Sequence, residues 1–257
     1  MNLLLLSNSR GPDGSYLVHA LGEIAAIAAG RKRALFIPFA AATDPWEAYT
    51  EKVRAVFAEA AVAIEAATVP SESRDAVAAA EIIVIGGGNT FHLLRECRRR
   101  GLLKPIAARV RDGVPFIGWS AGANLACPTI CTTNDMPIAD PEGFDALGLV
   151  EFQINPHFTN ALPAGHQGET RESGSPNTCS STRNGPLSDC RKATGYASPT
   201  TPPCSVAPMP RLYFEPVDRR PCWYRVKHSD PRSRIRLSLL RPESDQRMQE
   251  LSKADKL

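Results

Sequence analysis

No apolar run in the 257-residue chain approaches the ~20 residues that a membrane-spanning helix needs. The four leucines at positions 3–6 follow no basic segment, so no secretory leader is expected. Cysteine is scarce, irregularly spaced and odd in number, at seven residues. That pattern gives no disulfide framework, and a reducing cytoplasmic setting is the expectation. Cys127 and Cys131 form C-x-x-x-C with no second pair and no spaced histidine. They read as buried free thiols, and neither a metal nor a cofactor is expected.

What is present is ordinary for a globular protein: 43% hydrophobic and 22% charged residues. The length suits one α/β domain with a real core. The overall charge of +3 hides a division. Residues 1–172 hold 15 Lys and Arg against 19 Asp and Glu, net −4. Residues 173–257 hold 15 against 8, net +7, with 11 of the 22 prolines and 4 of the 7 cysteines. The whole-chain charge is therefore no guide to partners, and neither nucleic acid nor membrane is expected as one.

The first part alternates strand and helix patterns. Strands are predicted at 3–6, 34–38, 62–69, 82–85, 115–119 and 152–155. Helices are predicted at 14–29, 46–60, 75–80, 90–100 and 105–112. Helix 14–29 carries Leu17, Leu21, Ile24 and Ala28 at helical spacing. Helix 46–60 is read as capped by Asp44 with Pro45 at its first position. Continuous apolar strands separated by helices imply a mostly parallel sheet with helices on both faces. In such a sheet the chemistry sits at the carboxyl ends of the strands.

Two predicted strand ends are chemically loaded. Gly118-Trp119-Ser120-Ala121-Gly122 is G-x-S-x-G between a strand and a small-residue helix. This is the pattern of a nucleophile elbow, with Ser120 on a strained turn and the Ala121 N–H beside it as an oxyanion donor. A tight turn with an idle serine has the same pattern. Gly86-Gly87-Gly88-Asn89-Thr90 also joins strand to helix. Gly87 and Gly88 can bring backbone N–H groups close to a ligand oxygen, either as the second half of an oxyanion hole or as a phosphate cradle. The spacing is not G-x-G-x-x-G and no P-loop lysine follows, so the companion serine turn favours the oxyanion.

A serine nucleophile needs a base. His19 and His92 fall within predicted helices and read as surface or core-edge residues. His157 follows Pro156 directly after the predicted strand 152–155, where a base can meet Ser120. His166 lies in a polar stretch and is the weaker candidate. Asp135, between Ser120 and His157 in chain order, either orients the imidazole or caps a turn.

These motifs together resemble the peptidase E family, bacterial serine peptidases that include the cyanophycinases. The resemblance runs from Met1 to about Glu172. It rests on Ser7-Asn8-Ser9, Phe36-Ile37-Pro38-Phe39, the triple-glycine turn through Phe91, and Gly118 to Asn124. It continues through Thr132 to Pro137, Ile154 to Phe158, Gly165-His166 and Gly168 to Arg171. It implies a fold similar to class I glutamine amidotransferases, with Ser120 as nucleophile and His157 as base. It implies metal-free hydrolysis of small dipeptides with N-terminal aspartate. Asp135 matches one assigned triad position. A glutamate in a Gly-Leu-Pro-Glu-Gly stretch is the other, and Lys192 stands about where it would fall. Arg171 is the candidate cation for the substrate carboxylate, against an exposed helix-start arginine, and Asn89 joins it as a candidate binding residue.

From Ser173 the resemblance stops. The last 85 residues lack helical or alternating periodicity and read as irregular, disordered or loosely packed. A changed reading frame near Arg171–Ser173 explains the break. Back-translating Pro186–Tyr196 and shifting the frame permits PVIGLPEGNWL, which contains the missing family stretch. The segment Lys227-His228-Ser229-Asp230 permits two consecutive stop codons in that same frame. The readings that follow are a serine dipeptidase for Asp-Xaa, a catalytically impaired remnant of that fold, or a cyanophycinase-like β-aspartyl hydrolase.

Overall fold

The computed structural model describes residues 1–11, 13–68 and 73–157, with the backbone of three strands between 214 and 238. The elements in chain order are β1 (Asn2–Leu6), α1 (Leu21–Ala28), β2 (Arg33–Ile37), α2 (Trp46–Glu59), β3 (Ala63–Ala66) and α3 (Ser73–Ala79). There follow β4 (Ile83–Ile85), α4 (Thr90–Arg99), α5 (Leu103–Arg111), β5 (Phe116–Trp119) and α6 (Ala121–Leu125). The last three are β6 (Phe214–Pro216), β7 (Trp223–Val226) and β8 (Arg234–Ser238).

The strands form one eight-stranded sheet in the order β3-β2-β4-β5-β1-β8-β7-β6. The first five are parallel throughout, with Leu3 opposite Phe116 and Leu6 opposite Trp119 across β1 and β5. Successive side chains on a strand point to opposite faces, so each apolar run feeds two cores. Leu3, Leu5, Leu35, Ile37, Ile83, Ile85 and Phe116 pack on one face against Val77, Leu94, Cys97, Ile106 and Val110. Leu4, Leu6, Phe36, Val84, Ile117 and Trp119 pack on the other against Ile24, Val53 and Phe57. Full burial of a leucine contributes about 1.5–3 kcal/mol, and the leucines of β1 are all buried. The expected parallel sheet covered on both faces is the fold observed.

Four local expectations change. The helix expected from residue 14 begins as a 3-10 turn at Val18–Ala20 and becomes α1 only at Leu21. Asp13 accepts from the N–H and hydroxyl of Ser15, Arg10 bridges Tyr16, and Leu17 is left-handed at φ 58°. The Asp13–Ser15 bonds and the backbone bridge between Arg10 and Tyr16 hold the segment in a turn and outcompete the helix. Helix α2 takes Pro45, not Asp44, as its N-cap residue, at ψ 134° and with no side-chain cap. Strand β3 ends at Ala66. The expected strand 152–155 does not form. Its ladder is replaced by side chains: Ile154 N–H donates to Cys127 Sγ, and Ile154 C=O accepts from Asn124 Nδ2 and Thr132 Oγ1.

Three strands from the last 85 residues, which the sequence pattern does not announce, extend the sheet. Strand β8 pairs parallel with β1, and β7 and β6 follow antiparallel. A central strand has two rows of backbone groups to satisfy. Strand β1 meets β5 with one and β8 with the other.

Candidate active site

Strand β5 ends at Trp119, and Ser120 turns the chain sharply at φ 51°, ψ −115°. A non-glycine residue at positive φ is strained, and such strain is concentrated at functional turns. The turn is held at both sides: Ser120 N–H donates to Leu6 O at 3.0 Å, and Ser120 O accepts from Asn124 N–H at 2.9 Å. A Cβ on Gly118 would lie 2.7 Å from Gly122 O, and one on Gly122 would lie 2.2 Å from Ile85 O. Glycine on either side of the serine is thus a packing requirement of the β4–β5–α6 junction.

The triple-glycine turn at the end of β4 faces this serine. A Cβ on Gly87 would come within 3.0 Å of Ser120 Cβ. Gly88 has φ 141°, and a Cβ there would lie 2.2 Å from Ala40 O. Asn89 caps α4 by accepting from His92 N–H at 3.0 Å, and its Nδ2 donates to Met136 O at 2.8 Å. Neither the Gly87 nor the Gly88 N–H donates to another described residue. Ala121 opens α6, where an N–H has no partner inside the helix.

His157 Nε2 lies 2.8 Å from Ser120 Oγ. The histidine is at φ 58°, and its N–H donates to Ser7 Oγ at 2.9 Å, just past β1. Asn134 Nδ2 donates to Pro156 O and to Asn155 Oδ1. Asn124, fully buried on the helix that Ser120 starts, donates to Ile154 O at 2.7 Å. The nucleophile's own helix therefore tethers the segment that carries the base. Ser7, Asn124 and Asn134 lie inside the quoted motifs but signal no such role, because their partners are 21 to 150 residues away.

Asp135 lines the same cavity, but among the described residues its carboxylate bonds Thr90: Oδ2 accepts from Thr90 N–H at 2.7 Å and from Thr90 Oγ1 at 2.5 Å. Of the two roles open to it, orienting the imidazole or capping a turn, these bonds to the first residue of α4 are those of a cap. The reason is local. The first N–H groups of α4 need acceptors, and a carboxylate there also meets the positive end of the helix dipole.

His19 sits in the 3-10 turn, where burial pushes its pKa down, and His92 in α4 meets Phe39 O at 2.7 Å. Burial pushes the thiols of Cys97 and Cys127 up to about 12, which fits inert core residues. Among the described residues no group of three or more His, Cys, Asp or Glu is placed to hold a metal. Arg171, His166 and Lys192 lie outside the described residues.

The cavity measures about 750 Å³ and brings together Ser120, His157, Gly87, Gly88, Asn89 and Asp135. Arg10 and Lys52 are on its wall, and neither stands in a motif that marks it as a binding residue. The chain matches the sequence model of Peptidase family S51 over residues 3–187. It belongs to peptidase family S51. Peptidase E of Citrobacter koseri is 59% identical over 172 residues, 67% of this chain and 75% of the relative. Peptidase E of Shigella flexneri serotype 5b has the same identity and coverage. A solved Listeria monocytogenes EGD-e protein is 27% identical, with a TM-score of 0.48 over 59% of this chain and 76% of that one. The chain's family and its peptidase E relatives are those of a serine dipeptidase. Among its described residues no helix is long and apolar enough to cross a membrane.

Proposed function

We propose that this S51 peptidase hydrolyses cytoplasmic dipeptides with an N-terminal aspartate, with Ser120 as nucleophile and His157 as base. The observation that carries the reading is the 2.8 Å contact between Ser120 Oγ and His157 Nε2 at a strained strand–helix turn. Ser120 Oγ attacks the peptide carbonyl carbon while Nε2 takes its proton. The tetrahedral oxyanion is held by the N–H of Ala121 and by the Gly87–Gly88 turn, at about 3–4 kcal/mol per donor in comparable sites. His157 returns the proton to the departing amine, leaving an aspartyl ester on Ser120. Water then enters with His157 as base again and frees aspartate.

Selection of aspartate needs positive charge in the pocket. Arg171 is the sequence-based candidate, since a guanidinium binds a carboxylate bidentately. Arg10 and Lys52, on the cavity wall, add two cations for a substrate that carries two carboxylates. Asp135 serves in this reading by anchoring Thr90, next to Gly88 and Asn89, rather than by touching the imidazole. No metal takes part.

The test is turnover of Asp-Leu against β-Asp-Arg by the purified chain. Preferred cleavage of Asp-Leu supports the reading, and preferred cleavage of β-Asp-Arg converts it to a cyanophycinase-like activity. Absence of both, in a folded protein, leaves an impaired remnant. We further infer that residues 173–257 are the product of a changed reading frame near Arg171–Ser173, which resequencing of those codons tests.

A further inference from the structure

The oxyanion hole assigned above needs the Gly87–Gly88 peptide to keep one orientation. That peptide is trans, as are all the described ones, so its C=O and N–H point in opposite directions. Whatever holds the Gly87 carbonyl also aims the Gly88 N–H. The holder is Tyr49 of α2, whose hydroxyl donates to Gly87 O at 3.1 Å.

The direction of that bond is fixed by its neighbours. Trp119 Nε1, which can only donate, donates to the Tyr49 oxygen at 3.1 Å. The Tyr16 hydroxyl donates to the same oxygen at 3.3 Å. Both acceptor positions of Tyr49 are then used, and its single proton is left for Gly87 O. Burial pushes the Tyr49 hydroxyl up, which keeps that proton in place. The ring is fixed as well: it stands edge-on to Phe36 at 5.2 Å, and Phe36 stacks on Trp119 at 5.9 Å. A Cβ on Gly86 would lie 2.6 Å from the Tyr49 hydroxyl, so the glycine before the hole is what admits it.

We infer that Tyr49 is a positioning residue of the oxyanion hole, relayed from Trp119 beside the nucleophile to the Gly87 carbonyl, so that the Gly88 N–H is presented to the reacting oxygen. The inference rests on the dipeptidase reading above. Tyr49 touches no reacting atom, and its effect passes through one peptide plane. Without the hydroxyl the ring still packs, but the Gly87–Gly88 peptide loses this restraint on its carbonyl.

The experiment is Tyr49→Phe in the full chain, read by Asp-Leu kinetics and by affinity for an aspartyl aldehyde. The aldehyde adds Ser120 Oγ reversibly and places an oxyanion in the hole. The expected result is a fall in kcat of about ten- to a hundredfold, less than the loss of a whole donor, with KM unchanged. Aldehyde affinity should fall by the same factor as kcat/KM. A structural role alone would lower the melting temperature without this split. Trp119→Phe, which keeps a ring on Phe36 but removes the donor to Tyr49, should show a smaller loss of the same kind. It carries the test if Tyr49→Phe does not fold. Unchanged kcat and aldehyde affinity overturn the inference, as does a rise in KM with kcat intact. No turnover and no aldehyde binding by the unaltered chain instead overturns the dipeptidase reading, and the role of Tyr49 with it.

Discussion

Residues 1–172 and residues 173–257 contribute to the same sheet by different physics. In the first part, side-chain pattern and backbone agree. Alternate residues of β1, β2, β4 and β5 enter two cores, and the turns after β4 and β5 build the site. The last part carries net +7 and half of the prolines, yet three of its short segments pair in the sheet. Strand pairing uses N–H and C=O groups that every non-proline residue owns, so it asks little of the sequence. A catalytic constellation asks for particular side chains at particular turns. The contrast shows why a sheet can be extended by almost any chain while a site cannot be replaced.

If the site belongs wholly to the first part, Ser120→Ala abolishes Asp-Xaa hydrolysis and leaves the fold intact, by analogy with losses of about 10⁶ in other serine peptidases. His157→Ala should be nearly as severe and His166→Ala much milder. Steady-state rates with circular dichroism as a fold control check both. More than a few per cent residual rate in folded Ser120→Ala would mean another nucleophile.

The next effect concerns the tail. If residues 173–257 are the product of a changed reading frame, restoring that frame after Arg171 should raise both stability and activity. The tail as it stands carries no Gly-Leu-Pro-Glu-Gly stretch, and loss of an orienting acid costs about 10⁴ in rate in the Ser-His-Asp template. Apolar area left wet costs about 25 cal/mol per Å², against a total stability of only ~5–15 kcal/mol. Side-by-side melting and Asp-Leu turnover of the two versions decide it. Equal melting and equal rates would make the tail a genuine domain and break the comparison.

A smaller effect is expected at Arg171→Met. It should lower kcat/KM for Asp-Leu and leave a neutral Asn-Leu analogue unchanged, by roughly the ten- to hundredfold that one charge-assisted contact contributes. An unchanged ratio shifts the role to Arg10 and Lys52. The smallest signal is chemical. Burial pushes the Cys97 and Cys127 thiols up to about 12, so both should resist alkylation at pH 8 in the native chain and react on unfolding. Peptide mapping after brief labelling reads this. Fast native labelling of Cys127 would show that the core behind Ile154 opens.

Much of this molecule is legible in its amino-acid sequence. The helix–strand alternation and the site at strand ends were visible because apolar runs and glycine turns are local signals. What the sequence leaves open or misplaces lies where a side chain far along the chain intervenes. Residues 152–155 have the composition of a strand, but Asn124, Thr132 and Cys127 take up the backbone of Ile154. Asp135 lies between nucleophile and base in chain order, but the N-terminus of α4 claims its carboxylate. Tyr49 looks like one aromatic position on an amphipathic helix, and its hydroxyl reaches a carbonyl 38 residues away.

Local residue patterns set the strands and helices, the strained turn at Ser120 and the glycines that let β4, β5 and α6 meet. These depend on backbone sterics and on hydrophobic periodicity, which act within a few residues. The packing of distant elements set which acid caps α4 and which hydroxyl holds the Gly87 carbonyl. Those are hydrogen bonds between groups brought together by sheet order. Their reach of about 3 Å leaves no trace in sequence spacing.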